Sequence, residues 1–138
     1  MHYKEMVIIM ILSGLLSTMN IWADKIEDMN FSLNDVYMIS LMTGWMLFFM
    51  GIKDSQTNII SIGAIVVCIS IICIRKQFII TEKQYLRGMV PHHSMAVHMS
   101  RKLLETQNNI PKFLNNIINT QETEITDMKK RLKNSIQR

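Results

Sequence analysis

The sequence predicts an all-α chain, in which three N-terminal transmembrane helices are followed by an antiparallel helical hairpin. Three observations predict it. Residues 6–23, 36–52 and 59–74 contain no Asp, Glu, Lys, Arg or His. From Arg75 onward the chain turns polar and basic, with a net charge of +7 against −3 before it, together the +4 of the 138 residues. Within that basic part, two stripes of apolar residues at helical spacing are parted by one turn signal, Asn108, Asn109 and Pro111.

The uncharged segments hold 18, 17 and 16 residues. At ~1.5 Å per residue they reach about 24 to 27 Å, just short of a ~30 Å hydrocarbon core, so each is expected to extend by a few residues or to meet a thinned bilayer. Trp22, Tyr37 and Trp45 lie among their apolar residues. A secretory signal peptide fits the first segment poorly: it lacks a small-x-small cleavage pattern, and two more apolar segments follow. With no ionisable group inside the spans there is no ion path to argue for, and residues 1–76 read as a multi-pass anchor in the lipid bilayer.

Three crossings put the first loop and the C-terminal part on one side. The positive-inside count, five Lys and Arg near membrane ends on that side against two on the other, favours the cytoplasm for the C-terminal part. The flanks of the first helix, Lys4 before it and Asp24, Glu27 and Asp28 after it, favour the opposite orientation. Both sides stay open.

In the second span Met38, Met42, Met46 and Met50 recur every fourth residue. The stripe reads first as flexible packing between helices, and second as a thioether ladder for copper. Cys68 and Cys73 lack Cys-x-x-Cys spacing and read as inert apolar thiols.

The hairpin occupies residues 77–138. Thr81 followed by Gln84 fits a capping box, so a helix is expected from Glu82 to about Gln107, kinked or restarted at Pro91. A second helix is expected from Pro111 to about Lys133, with Leu114, Ile117, Ile118, Gln121, Ile125, Met128 and Leu132 on one stripe and Glu124 at its edge. So short a turn makes the two pack antiparallel. Folding the chain about its midpoint sets residue x opposite 217 minus x, which brings Met89 near Met128, His92 near Ile125, and Met95 near Gln121 and Glu122.

Residues 89–99, Met-Val-Pro-His-His-Ser-Met-Ala-Val-His-Met, hold three of the four histidines and three of the thirteen methionines. At about 100° per residue Met89, His92, Met95 and Met99 share one helical face, while His98 points about 240° from His92. Thioether sulfur and neutral imidazole suit Cu(I), whereas Mg²⁺ and Ca²⁺ want oxygen. Met128 and Glu124 stand within a turn of this face on the facing helix, and Glu124 either orients a histidine or faces solvent. The competing reading is that the methionines fill a core and the histidines decorate it.

Other chemistries lack their residues. No His-Glu-x-x-His occurs for a zinc protease, nor a Glu-x-x-His pair for a di-iron oxidase, so no catalytic residues are expected. Lys129, Lys130, Arg131 and Lys133 read as a solvated helix end, and no aromatic residues interleave with them, so nucleic acid is not an expected partner.

Met-Val-Pro-His-His-Ser-Met-Ala at 89–96, then Met99, Ile117-Ile118, Gln121-Glu122-Thr123-Glu124-Ile125 and Met128 resemble the ferritin-like copper-binding family known as domain of unknown function 305, which includes the CopM-type proteins. The opening Met-His-Tyr, the Met-rich second span and Arg75 to Gln77 resemble its membrane-anchored branch. The resemblance implies a ferritin-like helical domain that binds copper and acts in copper sequestration, tolerance or homeostasis. Its implied ligands are Met89, His92, His93, Met99 and Met128, with Gln121 and Glu124 as further motif positions.

One hairpin of about 50 residues buries little apolar surface, so a homo-oligomer is expected, most simply a dimer whose two hairpins form a four-helix bundle. The sequence thus describes a membrane-anchored protein that holds copper, as Cu(I), through Met and His. The alternative is a metal-free membrane protein whose hairpin only mediates assembly.

Overall fold

The structure is a computed structural model and describes residues 2–134. Five α-helices follow one another: α1 (Tyr3–Leu16), α2 (Leu33–Lys53), α3 (Thr57–Lys76), α4 (Glu82–Leu104) and α5 (Pro111–Asn134). Short 3-10 turns at Met19–Trp22 and Ile26–Asp28 lie between α1 and α2, and there is no strand among the described residues. The helices divide into two compact units. The first takes the chain up to Thr18 together with Leu33–Ile80, and the second gathers Met19–Ser32 with the chain from Thr81 onward.

The first unit contains α1, α2 and α3. Tyr3–Trp22, Leu33–Lys53 and Thr57–Lys76 are each long and apolar enough to cross a membrane. The second and third outgrow their uncharged segments at both ends, and 21 residues in α2 rise about 31 Å, which removes the expected shortfall. The first does not, because α1 unwinds at Ser17 and only a 3-10 turn continues it. Large apolar side chains face outward, Ile65, Ile69, Ile72 and Phe49 among them, as lipid rather than water would favour.

Small residues set the approach of α2 and α3. A Cβ added at Gly63 would meet the Phe48 backbone and the Gly44 carbonyl, so the two main chains nearly touch there. Ser70 donates to Ser40 at 2.9 Å between the same helices. Met38 and Met42 lie exposed on the unit's outer surface and not between helices, as does Cys68.

The second unit is the expected hairpin. Thr81 Oγ1 accepts from the Gln84 N–H at 3.4 Å and starts α4 at Glu82. Pro91 does not restart the helix; it is buried within an uninterrupted run. The helix ends at Leu104, short of Gln107, because Asn108 intervenes. Its side-chain amide donates to the Leu103 and Thr106 carbonyls, and its Oδ1 accepts from the Ile110 N–H at 3.1 Å. Pro111 then opens α5, where a missing N–H costs nothing. Leu86, Val90 and Val97 from α4 pack with Ile125 and Met128 from α5, and Met89, Ile118 and Leu132 border this core.

The first loop completes the unit, so the boundary at 76/77 runs along the chain but not through space. The Asp24 N–H donates to Ser94 Oγ at 2.9 Å, and Ser94 Oγ donates to Asp28 Oδ2 at 2.6 Å. Lys129 Nζ stands 2.5 Å from Asp28 Oδ1 and 3.4 Å from Glu27. Arg101 bridges Asp24 and Glu122. A buried carboxylate is costly unless paired and hydrogen-bonded, and Asp28, only 3% exposed, is both.

Candidate metal centre

The core sets the directions of the two helices. With Val90, fully buried, as the inward direction of α4, Ser94, Arg101 and His98 turn about 20° to 80° to one flank, where the first loop lies. His93 turns about 60° to the other flank, Met89 about 100°, and His92 about 160°. On α5, measured from Ile125, Met128, Gln121 and Glu124 turn to that second flank. One flank of the hairpin is therefore covered by the loop, and the other, open flank carries Met89, His92 and His93 of α4 with Gln121, Glu124 and Met128 of α5.

On the open flank His93 Nδ1 lies 3.0 Å from Glu124 Oε2. The contact is close but out of line, and Nδ1 is a buried nitrogen with no hydrogen-bond partner. Residues 93 and 124 sum to 217, so the pairing follows the register expected from the turn. Met89 is four residues before His93 and Met128 four after Glu124, which on antiparallel helices is the same direction, one turn and about 6 Å from the pair. There Met89 packs against the cluster that contains Met128.

Burial lowers the pKa of the His93 imidazole, opposed by the Glu124 carboxylate and reinforced by His92. The neutral ring this favours is the form that binds a metal. At Lys129 burial also works to lower the ammonium, but Asp28 and Glu27 outweigh it and the pKa is raised. Lys129 thus stays a cation held by the loop.

The expected ligands do not all converge within one chain. His93 and Glu124 stand at one level of the hairpin, with Met89 and Met128 one turn away on the same flank. His92 is exposed on the outer part of the open flank, its ring centroid 6.3 Å from that of His93. The face expected to hold Met89, His92, Met95 and Met99 together is therefore not the face turned to α5, because Val90 and Val97 fix the inward direction and leave His92 behind it. Met99, 53% exposed, lies two turns nearer the hairpin loop, in a shallow groove with Trp22, His98, Leu103 and Leu114. Gln121 is half-buried on the open flank. Among the described residues no three of His, Cys, Asp and Glu converge.

Sequence reasoning passed over Ser94, Asp24 and Asp28. The signal was there: the carboxylates of the first loop match Lys129 and Arg101 in charge.

Residues 77–132 match the model of a family described as Domain of unknown function (DUF305). The chain is 42% identical over 133 residues to "Uncharacterized protein L153" of Acanthamoeba polyphaga mimivirus, a match covering 89% of this chain and 86% of the relative. No solved structure matches the chain.

Proposed function

The chain belongs to the family described as domain of unknown function (DUF305), and from that premise we propose that it is a membrane-anchored protein that captures copper, as Cu(I), on the open flank of its hairpin. One observation carries the reading. His93 offers a half-buried imidazole, its pKa lowered by burial, whose buried Nδ1 has no hydrogen-bond partner, one turn from Met89 and Met128 on the same flank. A buried ring nitrogen without a partner is costly, and a soft cation would satisfy it. Glu124, whose Oε2 lies 3.0 Å from that nitrogen, supplies a compensating charge. His92 and Met99 complete the donor set implied by the family pattern.

Capture is an equilibrium, with no bond made or broken in a substrate. Copper held this way is sequestered beside the bilayer, which suits tolerance or homeostasis. Retention of about one Cu(I) per chain against a competing chelator, by the full chain in detergent, tests the proposal. Loss of that retention in His93→Ala is the expected companion result, and equal retention in the variant would contradict it.

A second reading keeps the hairpin but not the metal: an assembly module. The large apolar side chains left exposed on it, Tyr85, Leu103 and Phe113, favour that reading. Chelator-resistant copper separates the two.

A further inference from the structure

The open flank of α4 carries an unbroken 4-3-4-3-4 spacing: Tyr85, Met89, His92, Ala96, Met99 and Leu103. This is the seam spacing of helices that pack at a shallow left-handed angle with side chains interlocked. The loop covers the opposite flank and reaches this one only at its far end, where Trp22 lines a shallow groove with Met99 and Leu103. Tyr85 is 51% exposed, Met99 53% and Leu103 42%, and Phe113 of α5 is 59% exposed. A hairpin with one flank closed and the other apolar and open is half of a four-helix bundle.

We propose that a second copy of this chain docks on the open flank, its α4 antiparallel to the first and the twofold axis beside Ala96, so that the two copies share their copper ligands. Area favours this occupant. A helix of 23 residues is about 35 Å long, and two helices about 10 Å apart present roughly 700 Å² per copy, close to the ~800 Å² that each partner of a stable interface buries. The seam is also self-complementary. Antiparallel pairing centred on Ala96 sets residue x opposite 192 minus x, which puts Met89 against the partner's Leu103 and His92 against the partner's Ser100. The small Ala96 side chain on the axis lets the helices approach.

This register resolves the disposition of the expected ligands. Met99 and His92 are seven residues apart on one helix, about 10 Å, and too far to share an ion within one copy. Across the axis, the partner's Met99 comes beside His92, next to His93. Each dimer then has two equivalent sites, each with one thioether from the other copy. The shared site rests on the copper reading above, whereas the docking rests on the seam alone.

The docking test uses the full chain in detergent with Cys68→Ser and Cys73→Ser, so that added cysteines are alone. Ala96→Cys should cross-link to a dimer with a short bis-maleimide, while Asn119→Cys, on the outer flank of α5, should not. Monomers only, or equal cross-linking at both positions, would overturn the docking. The site test uses mixed dimers of His92→Ala and Met99→Ala, purified through two different tags. Either variant alone lacks both shared sites, but the mixed dimer keeps one of two and should hold half the wild-type copper. Mixed dimers as poor as their parents would overturn the sharing and leave the copper reading in place. Wild-type chain that retains no copper would overturn both the copper reading and the shared site, with the cross-link still deciding the docking.

Discussion

Ser94 Oγ donates a 2.6 Å hydrogen bond to Oδ2 of Asp28, a residue 66 positions earlier in the chain. Because Ser94 also accepts from the Asp24 N–H, one fully buried hydroxyl ties the bend at Asp24 and the 3-10 turn ending at Asp28 to the helix that carries His92 and His93. Ser94→Ala strands a buried carboxylate oxygen and a partly buried N–H. The expected loss is about 1 to 3 kcal/mol of stability, read by thermal or denaturant unfolding of the second unit. An unchanged midpoint would mean that the loop does not hold the hairpin.

Met128 serves the core before it serves any metal. At 8% exposure its truncation in Met128→Ala should cost about 2 to 5 kcal/mol, whereas Met128→Leu conserves volume and should cost less than about 1.5 kcal/mol. Unfolding curves of the two variants check this. Met128→Leu is therefore the variant in which copper loss can be read without unfolding.

Acid should loosen the hairpin. The folded pKa of His93 is lowered, first by burial, so the folded state resists a proton that the unfolded chain accepts below about 6.5. The contribution is fully present above that pH and is lost as pH falls through the lowered folded value. Unfolding midpoints measured from pH 7.5 to 5 should decline below about 6.5 in the wild type and decline less in His93→Gln. Parallel curves for the two would contradict the assignment.

In the first unit, Gly63→Ala should separate α2 from α3. The added methyl meets the Phe48 backbone, which cannot turn aside as a side chain would. Lower thermal stability in detergent is expected, with a smaller effect from Gly14→Ala, whose Cβ meets only the Ile39 side chain.

The elements were legible because each has a local cause. Thr81 and Gln84 start α4, Pro111 starts α5, and the stripe through Leu114, Ile125 and Met128 points at the core. Even the register was legible, since the turn fixes it and His93 meets Glu124 where it says. Pro91 does not restart α4, which runs through it uninterrupted. The face of α4 misled: Val90 and Val97 outweigh the Met and His stripe in choosing what is buried, and periodicity does not say which of two apolar stripes faces inward. The clasp of Ser94 with Asp24 and Asp28 spans the chain and has no local signature.

The most direct test of the account is a Cu(I) titration against a competing chelator, run side by side on the full-length wild type and on Met128→Leu. The account predicts stoichiometric retention by the wild type and at least a tenfold weaker affinity in the variant, about 1.4 kcal/mol, at nearly unchanged stability. Equal affinities in the two proteins would contradict it.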